Sequence, residues 1–177
     1  MASKRSVFSV QQLSNLISKP RATSTVYLSR LVKKELATKV MKGTISFVDD
    51  TFVIATQLVE PSYISLDSAL LFHEIIRQVP REIECVTSKN SLRYDRMGII
   101  YHKIPERLLF GYQRHAKSGS YIFVAEPEKA VIDGIYLNKY GKTELEELMP
   151  KLNHRRLNEL SKGFNGRGSK KIKAMIQ

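Results

Sequence analysis

The sequence predicts an α+β fold in two parts, and three features of its 177 residues carry that expectation. Apolar residues recur at helical spacing through the N-terminal segment and then give way to two short β-type runs joined at Gly43. The middle of the chain interleaves β-type runs with helical stretches, and the C-terminal stretch is short helices again. Lys and Arg, which exceed Asp and Glu by 29 to 17, are concentrated at the two ends.

Ser9 is placed to cap a short helix from Val10, on which Val10, Leu13, Leu16 and Ile17 share one side. The segment SKPR, residues 18–21, breaks it. A second helix is expected from about Ala22 to Lys34. Stepping its residues at about 100° gathers Leu28, Leu31 and Val32 on one face, with Ser24 and Tyr27 at the margins. Thr23, Val26, Ser29, Arg30 and Lys33 fall opposite, with Ala22 and Thr25 beside them and Arg21 at the helix start. LATKV (36–40) and TISFV (44–48) read as strands, with MKG as the turn and Gly43 free to take a positive φ. Helix, short turn, second helix and hairpin in that order form the layout of a winged helix-turn-helix over residues 1–50, the second helix being the one that reads DNA.

The outward face of that helix has what a major groove asks for. Arg30 offers a guanidinium to guanine or phosphate, Thr23, Thr25 and Ser29 offer hydroxyls, and Val26 offers a methyl to thymine. Lys39 and Lys42 would lie along the neighbouring backbone. Residues 1–47 hold nine Lys and Arg against Glu35 alone, residues 48–150 hold twelve against fifteen acids, and residues 151–177 hold eight against Glu159 alone. A solvated basic face without a ligand is the plain alternative. A membrane-surface helix fits less well, because it would need a broad apolar face that the fold already uses.

Residues 51–177 have a different character. TFVIATQLVEP reads as a short helix, and SYISLDSALLFHEIIRQVP as a strand end followed by a helix capped near Ser65. IECVTS, GIIYHKI, RLLFGYQ and SYIFVA are β-type runs separated by the turn-prone NSLRYDRMG, PE and HAKSGS. EPEKAVIDGIYLNKYG is a helix with Pro127 in its first turn. Two or three short helices follow, interrupted by Pro150 and by GFNGRGS. They carry a second basic cluster, Arg155, Arg156, Lys162, Arg167, Lys170, Lys171 and Lys173, which is either a second nucleic-acid contact or a solvated tail. An RNA-associated protein that stacks Phe164 on unpaired bases is the rival function.

Several classes are disfavoured. The single cysteine, Cys85, allows no internal disulfide or cysteine-rich zinc site, and the four histidines lack ligand spacing, so no metal or cofactor is expected. Glu126, Glu128 and Asp133 could suggest a carboxylate pair, but the two glutamates flank Pro127 at a helix start, where helix-start chemistry explains them. No phosphate-cradling glycine loop or nucleophile elbow is present, so no enzyme is expected. The start MASKRSVFSV lacks an apolar core or cleavage site and no run is long enough for a bilayer, so a soluble cytoplasmic protein is expected.

Over roughly residues 8–140 the chain resembles the AbiEi-type antitoxins, the repressor half of the abortive-infection (type IV) toxin–antitoxin systems. YLSRLVKKELATKVMKGTISF, EPSYISLDSALLFHEIIRQVP, IPERLLFGY and YIFVAEPEKAVIDGIYL carry the resemblance in that order, PSYISLDSAL and AEPEKAVIDGIYL being the more specific pieces. The resemblance implies a winged helix that represses its own operon at inverted repeats in double-stranded operator DNA, and an α+β domain tied to antitoxicity. It also implies a nucleotidyltransferase toxin encoded next door and countered without a stable complex. Carried over by position, DNA contact falls on Thr23, Thr25, Val26, Ser29, Arg30 and Lys33, with Lys39 and Lys42 on the wing. There are two departures from the pattern. Glu35 stands where glycine is usual; a left-handed residue there would cost about 1–2 kcal/mol, so the helix is expected to end in another way. Ile45 and Phe47 replace the usual wing tyrosines.

Overall fold

A computed structural model of the protein describes residues 4–165 and 167–176. Tertiary contacts divide the chain into two units, Met1–Val59 with His115–Ile122, and Glu60–Arg114 with Phe123–Gln177. The boundary expected at residue 50 lies nine residues before this division. The intervening helix belongs with what precedes it, because Asp50 caps it by accepting from Phe52 N (2.9 Å) and Val53 N (3.2 Å), and because its Gln57 is bonded to the first strand.

The first unit runs β1 (Val7–Ser9), α1 (Val10–Ile17), α2 (Arg21–Lys33), β2 (Thr38–Met41), β3 (Thr44–Ser46) and α3 (Thr51–Leu58). Its three strands form an antiparallel sheet in the order β1-β3-β2. β1 was not legible in the sequence; it is three residues long and its partner lies far along the chain. Ser9 ends it and caps α1 in a reciprocal box, Gln12 N donating to Ser9 Oγ (3.2 Å) and Ser9 N to Gln12 Oε1 (2.9 Å). Leu13, Leu28 and Ile45 form the core between the two helices and the sheet, with Val10, Ile17, Leu31, Val32 and Ala37 around them. Gln57 is fully buried and fully bonded: it accepts from Ser6 N (2.8 Å) and Val7 N (3.1 Å), and donates to Ser120 Oγ (3.0 Å) and Tyr121 O (2.9 Å).

The end of α2 corrects the expectation about Glu35. Its φ is 57°, in the left-handed region, and Leu36 N donates to Leu31 O (3.0 Å) while Glu35 N donates to Val32 O (3.0 Å). That is the Schellman arrangement with glutamate where glycine is usual. The paired carbonyls offset the local cost of the conformation.

The second unit is built on β4 (Ser62–Ile64), α4 (Leu66–Phe72), β5 (Ile83–Thr87), β6 (Leu92–Tyr94), β7 (Ile99–Lys103), β8 (Tyr112–Lys117), β9 (Ser120–Ala125), α5 (Pro127–Tyr136), α6 (Lys142–Leu148), α7 (His154–Ser161) and α8 (Arg167–Ile176). The six strands are ordered β6-β7-β5-β4-β9-β8; β5 runs parallel to β7 and β4 to β9, while β4–β5 and β6–β7 are antiparallel. The tip of the β8–β9 hairpin is grouped with the first unit. The central strands are apolar and buried, with Tyr63, Ile64, Cys85, Val86, Ile99, Tyr101, Ile122 and Val124 inside. Two runs read as turns prove to hold strand: β6 lies within NSLRYDRMG, and β8 extends through HAK to a turn at Ser118 and Gly119. RLLFGYQ, expected to be a strand, starts instead in a single 3-10 turn and enters β8 only after Gly111, whose φ is 69°.

Candidate nucleic-acid interface

Two short connections aim α2. Ser18, at φ 51°, closes α1, and Pro20 then opens α2 with Ser24 N donating to Pro20 O (3.0 Å). Of the 13 residues of α2 only Ser24 and Leu28 are buried. The buried hydroxyl of Ser24 is satisfied by Pro20 O (3.2 Å). Arg21, Thr25, Val26, Ser29, Arg30 and Lys33 are all exposed, and Thr23 is half-buried. Thr25 Oγ1 donates to Arg21 O (2.9 Å), so its hydrogen is used within the helix and the oxygen can still accept.

The hairpin β2–β3 stands beside this face. Gly43 turns it at φ 75°, and Gly43 O accepts from Val10 N (2.9 Å), which ties the turn to the start of α1. Lys39 and Lys42 are exposed on it. A groove of about 430 Å3 separates α2 from the hairpin; Thr25, Ser29, Lys33, Lys39 and Lys42 form its rim above Leu28, Val32 and Ile45. A second hollow of about 500 Å3 continues past Thr25 and Lys42 to Arg21 and Gln11, a residue the sequence gave no reason to choose. Among the described residues, Arg21, Arg30, Lys33, Lys39 and Lys42 form no ion pair, so their charge is directed at solvent. On the hairpin, Ile45 is 2% exposed in the core, and Phe47 packs edge-on against Phe8 with centroids 5.9 Å apart.

The second basic cluster is arranged otherwise. Arg156 grips Glu126 with two nitrogens (2.6 and 2.8 Å) and reaches Glu159 with a third (2.8 Å). Those hydrogen bonds hold the Glu126 carboxyl below its ordinary pKa. Lys171 donates to Ile135 O (2.8 Å) and to Asn138 Oδ1, binding α8 to α5. Arg155, Lys162, Lys170 and Lys173 are exposed; the side chain of Arg167 lies outside the described residues. Phe164 is 1% exposed and packs against Phe110 and Tyr136, so the base-stacking role considered for it is corrected: its ring belongs to the core.

The carboxylates considered for catalysis are each taken up by structure. Glu126 holds Arg156, and Glu128 accepts from Asn153 N (2.8 Å). Asp133 is wholly buried; it is paired with Lys129 one turn earlier and accepts from Tyr63 Oη and Ser65 Oγ (both 2.9 Å). Lys129 also donates to Tyr63 Oη (2.8 Å) and lies within 5.3 Å of the ring centres of Tyr63, Phe110 and Phe164. Burial pushes the Lys129 amine below its ordinary pKa against the pull of Asp133, and pushes the Tyr63 hydroxyl up. The Lys129–Asp133 spacing of four residues was visible in the sequence; that both would be buried was not. Among the described residues no group of three or more His, Cys, Asp or Glu is placed to hold a metal, and no helix is long and apolar enough to cross a membrane.

Comparison with known proteins adds a fold-level likeness. No family model matches the chain, and no curated protein matches it. Among solved structures, the crystal structure of the RV2827C protein from Mycobacterium tuberculosis is similar at 14% identity with a TM-score of 0.53, over 97% of this chain and 71% of that one. The class these findings define is a mixed α+β protein.

Proposed function

We propose that the chain is a sequence-specific transcriptional repressor that binds double-stranded operator DNA through an N-terminal winged helix-turn-helix. In this reading it is the cytoplasmic antitoxin of a type IV toxin–antitoxin system, represses its own operon at inverted repeats, and counters a nucleotidyltransferase toxin without a stable complex. The observation that carries the DNA part is the face of α2 and its hairpin: five exposed cations without an ion pair among the described residues, the exposed hydroxyls of Thr25 and Ser29 beside half-buried Thr23, and an exposed Val26, in a stretch with one acid. The β1-β3-β2 order of the sheet against α1 and α2 supports the winged layout, with Lys39 and Lys42 on the wing. The antitoxin part rests on the sequence resemblance. The RNA-binding alternative has less support, because Phe164 is buried and Arg156 and Lys171 are engaged within the fold.

Competition decides between the two binders. Labelled duplex from the upstream region of the gene is set against single-stranded RNA at several salt concentrations between about 50 and 200 mM, the range over which phosphate contacts weaken steeply. The duplex is expected to hold the protein throughout; RNA prevailing at every salt concentration would overturn the repressor. For the antitoxin part, the neighbouring gene is expressed alone and together with this chain. A toxic nucleotidyltransferase rendered harmless supports that part, and an unrelated neighbour removes it.

A further inference from the structure

The second unit has an open cleft of about 600 Å3 bordered by α4, the 76–82 loop, β5 to β7 and α6. Its apolar lining is Ile76, Pro80 and Ile100 with buried Leu148 beneath, and Val79 stands 74% exposed at the rim. Five carboxylates and three bases line it. Arg93 is held by Glu82 (2.7 Å), and Lys139 shares Glu84 with His102 (3.3 and 2.9 Å). Asp67 accepts from Tyr140 Oη (2.7 Å), and Glu144 from Gly141 N (3.0 Å), neither of which neutralises a carboxylate. Glu147 is exposed and forms no ion pair among the described residues. With Arg81 set against these three, the cleft is negative in a chain of net charge +12.

We propose that this cleft receives the exposed face of α2 from a second copy of the chain. The two surfaces are complementary in charge, and each has an exposed apolar residue beside its charges, Val26 on α2 and Val79 at the rim of the cleft. On α2, Val26 is 48% exposed, with Arg30 and Lys33 four and seven residues further along the same face, an aliphatic knob beside two unpaired cations. In the cleft, Glu144 and Glu147 sit three apart on α6 beside apolar Leu148. A partner without exposed cations beside an apolar knob would leave the carboxylates unanswered. The contact is heterologous, one patch against a different patch, so it grows with concentration and weakens with salt. Resting on the DNA-binding reading, it has a regulatory consequence: duplex and a second copy compete for α2, and crowded protein is held off DNA.

Sedimentation velocity of the full chain over a hundredfold range of concentration tests the proposal, at low salt and again at roughly 0.5 M, where screening acts within about 4 Å. Association at low salt that is lost at high salt is expected. Glu144→Gln with Glu147→Gln, which keeps the acceptor for Gly141 N, should weaken it about tenfold, the contribution of two exposed ion pairs. Glu106→Gln with Glu146→Gln makes the same change of net charge on exposed carboxylates outside the cleft, and should alter it less than about twofold. A monomer at every concentration, or equal weakening by both pairs, would overturn the proposal. Adding upstream duplex should dissolve the wild-type assembly, and an assembly that survives saturating duplex would overturn the shared use of α2. If no duplex is bound at all, the repressor reading fails while the salt and variant results still decide the self-association.

Discussion

Helices α2 and α5 treat their charged residues in opposite ways. Of the ten residues of α5 eight are buried, Lys129 and Asp133 among them, whereas α2 buries two of thirteen and leaves every cation in solvent. The charge on α5 is closed off by Tyr63, Ser65 and the rings of Phe110 and Phe164, and nothing outside the fold can use it. The charge on α2 has no internal partner among the described residues, and its field reaches outward. Charged residues in one chain thus serve two ends, and burial distinguishes them: on α5 they are part of the core, on α2 they are available for contact.

The largest expected effect breaks the α5 side. Asp133→Ala leaves Lys129 buried without its partner and should destabilise the protein by about 3–5 kcal/mol in urea unfolding, while removing the charges and the hydroxyls that bond them together, by Lys129→Met, Asp133→Leu, Tyr63→Phe and Ser65→Ala, should cost less than the single change. On the α2 side, Arg30→Ala should leave stability unchanged and cost about 1–3 kcal/mol of duplex affinity, with relaxed preference at one base position, if its guanidinium meets a guanine. Loss that is uniform across operator variants would mean that Arg30 touches only phosphate. A smaller effect belongs to the end of α2. Glu35→Gly relieves the left-handed glutamate but gives the unfolded chain more freedom, so a net gain of about 0.5–1 kcal/mol is expected, seen as a higher urea midpoint at unchanged slope.

Much of the fold was legible because the local signals were strong. The Ser9 cap, the apolar stripe of α2, the turn at Gly43 and Pro127 at the start of α5 each appear where the residues indicated. Helix ends were the weak point. α2, α4 and α5 finish with Glu35, Glu74 and Asn138 in the left-handed region, at φ 57°, 60° and 59°. None of these is glycine, so the usual stop signal was missing, and α4 ends at Phe72 well before the expected stretch runs out. The missed strand β6 and the missed far half of β8 lie at the two edges of their sheet, where polar residues such as Arg93, Arg114 and Lys117 replace the apolar alternation that reveals a strand. For the interface, helical spacing selected the exposed residues of α2 correctly except for the half-buried Thr23. In the C-terminal cluster sequence alone could not tell exposed Arg155 and Lys170 from engaged Arg156 and Lys171, because their partners Glu126, Ile135 and Asn138 lie on another helix or at its end.

The salt dependence of duplex affinity tests the central claim most directly. Each phosphate contact removed lowers the slope of log K against log salt by about 0.9. Lys33→Ala with Lys42→Ala should therefore reduce the slope by about 2, while Arg155→Ala with Lys170→Ala leaves it unchanged. The reverse result, a slope lowered by the C-terminal pair and untouched by the pair on α2 and the hairpin, would contradict the account.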